Sequence, residues 1–85
     1  MSDTAAPEIP AERQAIGARI RSARKLHGMT QAALASRCFV GQTAVAHWEA
    51  GRKMPDLSRQ LLVADALHSQ RAILFRELDL AERAA

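Results

Sequence analysis

From about Arg13 onward, apolar and polar positions alternate at helical spacing. Ile16, Ile20, Ala23 and Leu26 recur every three or four residues among Arg19, Arg21, Arg24 and Lys25, which predicts a first helix ending at Gly28. Thr30 stands where a hydroxyl accepts a hydrogen bond from a first-turn amide, so it caps a second, short helix over QAALASRC. Leu34, Ala35 and Cys38 form its inner face, with Gln31 and Arg37 turned outward. After the break FVG, the stretch QTAVAHWEA reads as a third helix that Gly51 terminates. Its apolar stripe is Ala44, Val45 and Trp48, which leaves Gln42, Thr43, Ala46 and His47 on the opposite face.

Two short helices joined by a tight break, together spanning about Thr30 to Gly51, have the layout of a helix-turn-helix. Arg52, Lys53 and Pro55 make a basic connector beyond it. Asp56 or Ser58 then starts a fourth helix whose stripe is expected to run through Leu57, Leu61, Ala64 and Leu67, ending at LHSQ. A fifth helix from about Gln70 carries Ile73, Leu74, Phe75, Leu78 and Leu80, more apolar side chains than one face of a short bundle needs. The surplus suggests a partner surface, and Ile73, Phe75, Leu78 and Leu80 are the expected dimer contacts. Residues 1–12 show no sustained period and contain Pro7 and Pro10; they are expected to be a loose acidic tail ahead of a single domain at 13–85.

Composition sharpens the fold class. Hydrophobic residues make up 48% of the 85 but aromatics only 4%, so the core must be built from Ala, Leu, Val and Ile. That composition suits an all-α, compact bundle of about five helices. Twelve Lys plus Arg stand against nine Asp plus Glu, for a formal charge of +3. Such a balance tolerates a polyanionic partner without requiring one. The lone Cys38 excludes an internal disulfide and a Cys-rich zinc site, as fits a reducing compartment, and a cytoplasmic location is expected. No apolar run approaches the roughly 18 residues of a membrane span, and the opening residues lack the basic and apolar regions of a signal peptide.

The residues between Ile16 and Leu67 resemble the Cro/CI-type helix-turn-helix family of lambdoid repressors and small bacterial regulators. The likeness runs through Ile20 and Arg24, GMTQAALA at 28–35, Val40, VAHWEAG at 45–51 and Pro55. It implies a lambda repressor-like DNA-binding domain, with double-stranded DNA as partner. Positions matching Gln31, Gln42, Thr43 and His47 commonly touch DNA in the family. An arginine and a glutamate matching Arg24 and Glu49 form an ion pair that orients the third helix. The family usually has glycine where this chain has Phe39, because the backbone there is left-handed, and a Ser or Thr cap where it has Gly41.

Within that frame, Gln42 suits adenine, Thr43 a thymine methyl or a base acceptor, and His47 guanine N7 or a phosphate, while Ala46 keeps the helix close to the bases. Gln31, Arg52 and Lys53, with Arg21 and Arg37 as weaker candidates, are the expected phosphate contacts. The leading function is a homodimeric transcriptional repressor on a pseudo-palindromic operator. The alternative is an antitoxin or adaptor whose last helix binds another protein. Enzyme chemistry has little support, since no acid pair, triad or phosphate-binding loop appears, and neither a metal nor another cofactor is expected. Trp48 is expected in the core, Cys38 as a small buried hydrophobe, and His27 and His68 at helix ends. Arg13, Arg19, Arg71, Arg76 and Arg83 are expected to be solvated charge.

Overall fold

The computed structural model describes residues 8–79. Pro10 has extended backbone, and its carbonyl accepts from the amides of Arg13 (3.0 Å) and Gln14 (3.1 Å) to open α1 (Ala11–Leu26). The helix therefore starts two residues before the expected Arg13. A proline has no amide to satisfy, and its fixed φ suits the approach to a helix. Ile9 lies against Gly51 and its backbone carbonyl accepts from Gln14 Nε2 (2.7 Å), so residues 9–12 belong to the folded domain. Residues 1–7 of the expected tail lie outside the described residues.

Four further helices follow: α2 (Gln31–Arg37), α3 (Gln42–Ala50), α4 (Leu57–Ala66) and α5 (Arg71–Leu74). Residues 76–79 make one more helical turn. Two starts are capped by side chains. Thr30 Oγ1 accepts from the Ala33 amide (3.0 Å), and Asp56 Oδ1 accepts from the Arg59 amide (2.9 Å). Each cap is worth roughly 1 kcal/mol. The first four helices all close on a left-handed residue: Gly28 (φ 68), Phe39 (φ 58), Gly51 (φ 79) and His68 (φ 53). At each, the next amide reaches the carbonyl five residues back, as in Met29 to Arg24 (3.1 Å) and Val40 to Ala35 (3.0 Å). Orphan carbonyls at the helix ends are satisfied this way.

Ile16, Ile20, Leu34, Cys38, Val45, Val63 and Phe75 are wholly buried in one core, with Leu67, Leu74, Trp48 and several alanines around them. Burying one of the larger side chains contributes about 1.5–3 kcal/mol. Burial also pushes the Cys38 thiol above its ordinary range, with the charge of Arg59 acting in the opposite sense. The described residues thus form an all-helical bundle of the expected class.

Three stretches depart from the periodic reading. On α1 the buried stripe runs through Ile16, Ile20 and Arg24, and Leu26 is exposed beside the helix end. On α4, Leu57 and Leu61 face outward, and Gln60, Val63, Ala64, Ala66 and Leu67 face inward. The helix has that rotation because Gln60 is satisfied where it is buried. Its Nε2 donates to the Pro55 carbonyl (2.8 Å), and its Oε1 accepts from Arg71 Nε (2.7 Å).

The expected fifth helix is interrupted at Phe75, whose side chain fills the core with Leu74. Phe75 is therefore removed from the set of dimer contacts. Leu78 is half-buried against the same core, Ile73 remains half exposed, and Leu80 lies outside the described residues. Arg19 and Arg71, expected to be solvated, instead clamp this segment. Arg19 donates to the Leu74 carbonyl (2.7 Å) and pairs with both carboxylate oxygens of Glu77 (3.0 and 2.8 Å). Arg71 pairs likewise with Asp79 (3.1 and 2.9 Å).

Candidate nucleic-acid interface

The outward face of α3 is defined by what its other side must bury. Val45 and Trp48 anchor it in the core, and Ala44 packs half-buried against that core. Gln42 and Thr43 are consequently exposed at the start of the helix, with Ala46 and His47 half exposed one turn further on. These four residues form a short strip of side chains rich in donors and acceptors and free of carboxylates.

Close approach to α1 fixes the far end of the helix. A β-carbon on Gly17 would stand 2.6 Å from the Trp48 carbonyl oxygen and would overlap that of Glu49. Only glycine admits this contact. The periodic reading passed over Gly17; the sole signal was a glycine inside an otherwise helical run, which marks either a defect or a close approach.

The same junction holds the charged core of the site. Arg24 Nε and Nη2 donate to Glu49 Oε2 (2.6 Å) and Oε1 (3.0 Å), while its Nη1 donates to the Met29 carbonyl (2.7 Å). The two side chains are only 10% and 4% exposed. The Glu49 carboxylate raises the pKa of the Arg24 guanidinium, against the opposing effect of burial. Gln31 Nε2 adds a third donor to Glu49 Oε1 (3.1 Å). The first residue of α2 is thereby tied to the last turn of α3, through a carboxylate fixed from α1.

Beyond α3, the Arg52 and Lys53 amides both point to the His47 carbonyl (2.9 and 3.5 Å), and both side chains are exposed. They follow the left-handed Gly51, where a β-carbon would come within 3.0 Å of the Arg13 backbone. Of the other phosphate candidates, Gln31 is half-buried with its amide partly engaged by Glu49, and Arg21 is exposed on α1. Arg37 lies at the opposite end of α2 from Gln31, in a groove with Phe39 and Asp65. Gly41 opens α3 with no side-chain cap, and beyond its chain neighbours nothing lies within 4 Å of where its β-carbon would be.

The turn keeps its left-handed residue despite the missing glycine. Phe39 adopts it at a cost of about 1–2 kcal/mol and is 79% exposed as a residue. His27 and His68 do stand at helix ends, their rings 5.1 Å apart. Among the described residues no three His, Cys, Asp or Glu side chains are placed to hold a metal ion, and no helix is long and apolar enough to cross a membrane.

The helix-turn-helix family profile matches residues 20–74 of this chain. No curated protein sequence gives a match. Among solved structures, the P22 c2 repressor in complex with a synthetic operator is similar at 33% identity, over 72% of this chain and 92% of that one, with a TM-score of 0.70. The restriction-modification controller protein C.AhdI from Aeromonas hydrophila is 29% identical over 78% of this chain and 100% of its own, with a TM-score of 0.73. The clp gene regulator ClgR from C. glutamicum is 34% identical over 86% and 92% respectively, with a TM-score of 0.72. On the profile match and these likenesses, the chain belongs to the Cro/CI-type helix-turn-helix family of DNA-binding transcription regulators.

Proposed function

We propose that the protein is a homodimeric repressor that reads a pseudo-palindromic operator through the major groove. The observation that carries this reading is the exposed strip on α3, held by the buried Arg24–Glu49 pair and the half-buried Gln31 that donates to it. A reading helix must be presented at a fixed angle, because bidentate contacts to base edges tolerate little misplacement. Gln42, Thr43 and His47 read the bases, and Ala46 keeps the backbone near them. Arg52 and Lys53 neutralise phosphate, with Arg21 as a further cation, and Gln31 offers its remaining amide hydrogen to the backbone.

One nine-residue helix covers only a few base pairs, so two copies related by a two-fold axis supply the rest of the specificity. Ile73, with the half-buried Leu78 beside it, is the dimer surface. Leu57 and Leu61, one turn apart on the outer face of α4, add exposed apolar area. Bound across a promoter, such a dimer represses by occluding the polymerase.

Selection of bound sequences from a random duplex pool, repeated at two salt concentrations, tests the reading. A palindromic consensus whose half-sites lie about one helical turn apart is expected. Absence of any enriched sequence at either salt concentration refutes it.

A further inference from the structure

Phe39 raises a question that DNA reading leaves unanswered. A glycine there would relieve the left-handed backbone and remove an exposed ring, yet the chain has an aromatic 79% open to solvent. The ring stands at the rim of a groove of about 430 Å³, lined by Arg37, Phe39, Leu62, Asp65, Ala66 and His68. The groove lies between the end of α2 and the last turns of α4. Leu62 is half-buried and packs on the core, so it gives the groove an apolar wall. Among the described residues neither the Arg37 guanidinium nor the Asp65 carboxylate has an ionic partner, although both are exposed on this rim.

We propose that this groove is a self-association surface whose occupant is Phe39 of a second copy of the chain. An exposed ring beside a groove, with one unpaired cation and one unpaired anion on the rim, makes a patch complementary to itself. Under a two-fold rotation each ring enters the other copy's groove against Leu62 and Ala66, and each Arg37 meets Asp65 of the other copy. A different partner would have to supply both an apolar anchor and a matched pair of charges. A second copy carries them already.

One ring and one pair of charges from each copy make a weak and transient contact. Its effect is greatest between copies held close together, as on neighbouring sites of one DNA, where tethering raises the effective concentration to the millimolar range. That last consequence rests on the DNA-reading proposal; the contact itself does not. It is also distinct from the Ile73 surface, so each chain has two faces for its own kind.

Sedimentation equilibrium on the full chain without DNA, from micromolar to millimolar concentration, tests the contact. The wild-type chain should show an association step that Phe39→Gly weakens by about tenfold or more, a loss typical of a removed anchor. Arg37→Asp and Asp65→Arg should each weaken it too, and the double exchange should restore it, since the rim charges then meet in reversed order. Phe39→Gly should hold or raise the thermal midpoint, which separates lost association from lost folding. Ile73→Asp reports on the other dimer surface and should leave this step in place. The proposal is overturned if the wild-type chain has no step beyond the one Ile73→Asp removes, if Phe39→Gly associates as the wild type does, or if the double exchange restores nothing.

Discussion

Gly17 of α1 faces the carbonyl oxygen of Trp48 so closely that a β-carbon would stand 2.6 Å from it. The tilt of α3 against α1 is thus set by the absence of a side chain. In an open helix Gly→Ala would add about 0.5–1 kcal/mol of stability. Here the clash is with backbone and cannot be relieved by a rotamer change, so Gly17→Ala should destabilise by about 1–3 kcal/mol or more in urea denaturation. A stabilised variant would show that the two helices are free to separate at no cost.

Arg24 and Glu49 should behave as a unit. Removing either leaves the other charge buried with no ion partner, so Arg24→Met or Glu49→Leu should each cost about 3–5 kcal/mol, while the double variant should recover much of the loss. A double-mutant cycle by chemical denaturation measures the coupling. Additive losses would mean that the pair does not share one network.

Reading and clamping should separate in DNA binding. With a selected operator, Gln42→Ala should lose about 1–3 kcal/mol of discrimination at one or two base positions and keep the parent's salt slope. Arg52→Ala should weaken binding to every sequence alike and lower the salt slope by about one. Identical behaviour of the two variants would remove the distinction between reader and clamp.

The hydrogen bonds from Arg19, aided by its charge and opposed by burial, hold the Glu77 carboxyl below its ordinary range. Its pKa is lower folded than unfolded, so the stability from this pair is fully present above the unfolded carboxylate value of about 4.3. It is lost as pH falls through the lower, folded value. Glu77→Gln should therefore be less stable than the parent at neutral pH and should lose less on acidification below about pH 4.3. Equal pH slopes for the two chains, measured by thermal melting in a pH series, would contradict this assignment.

The parts of the molecule that were legible in the sequence are those written locally. Thr30 caps the helix that begins at the next residue, Gly28 and Gly51 end helices they adjoin, and Val45 with Trp48 mark one face of nine residues. The likeness to repressors added the Arg24–Glu49 pair, which joins residues 25 positions apart and has no local signature. Periodicity failed where a distant partner changed the sign of a residue. Gln60 is buried because Arg71 and the Pro55 carbonyl satisfy it, and that turned Leu57 and Leu61 outward. Arg19 left the surface for Glu77, 58 positions away, and Phe75 went inward with the segment so anchored. Leucine counts alone could not distinguish those side chains from a surplus meant for a partner.

Arg19 and Arg24 sit five positions apart on α1, about 7.5 Å along the axis. One grips the chain after α5 and the other grips the end of α3. A single rod therefore carries two fastenings, one to the end of α3 and one to the segment after α5. Fraying of α1 would release both together, so local opening, as seen by amide exchange, should involve the first and last helices as one cooperative block.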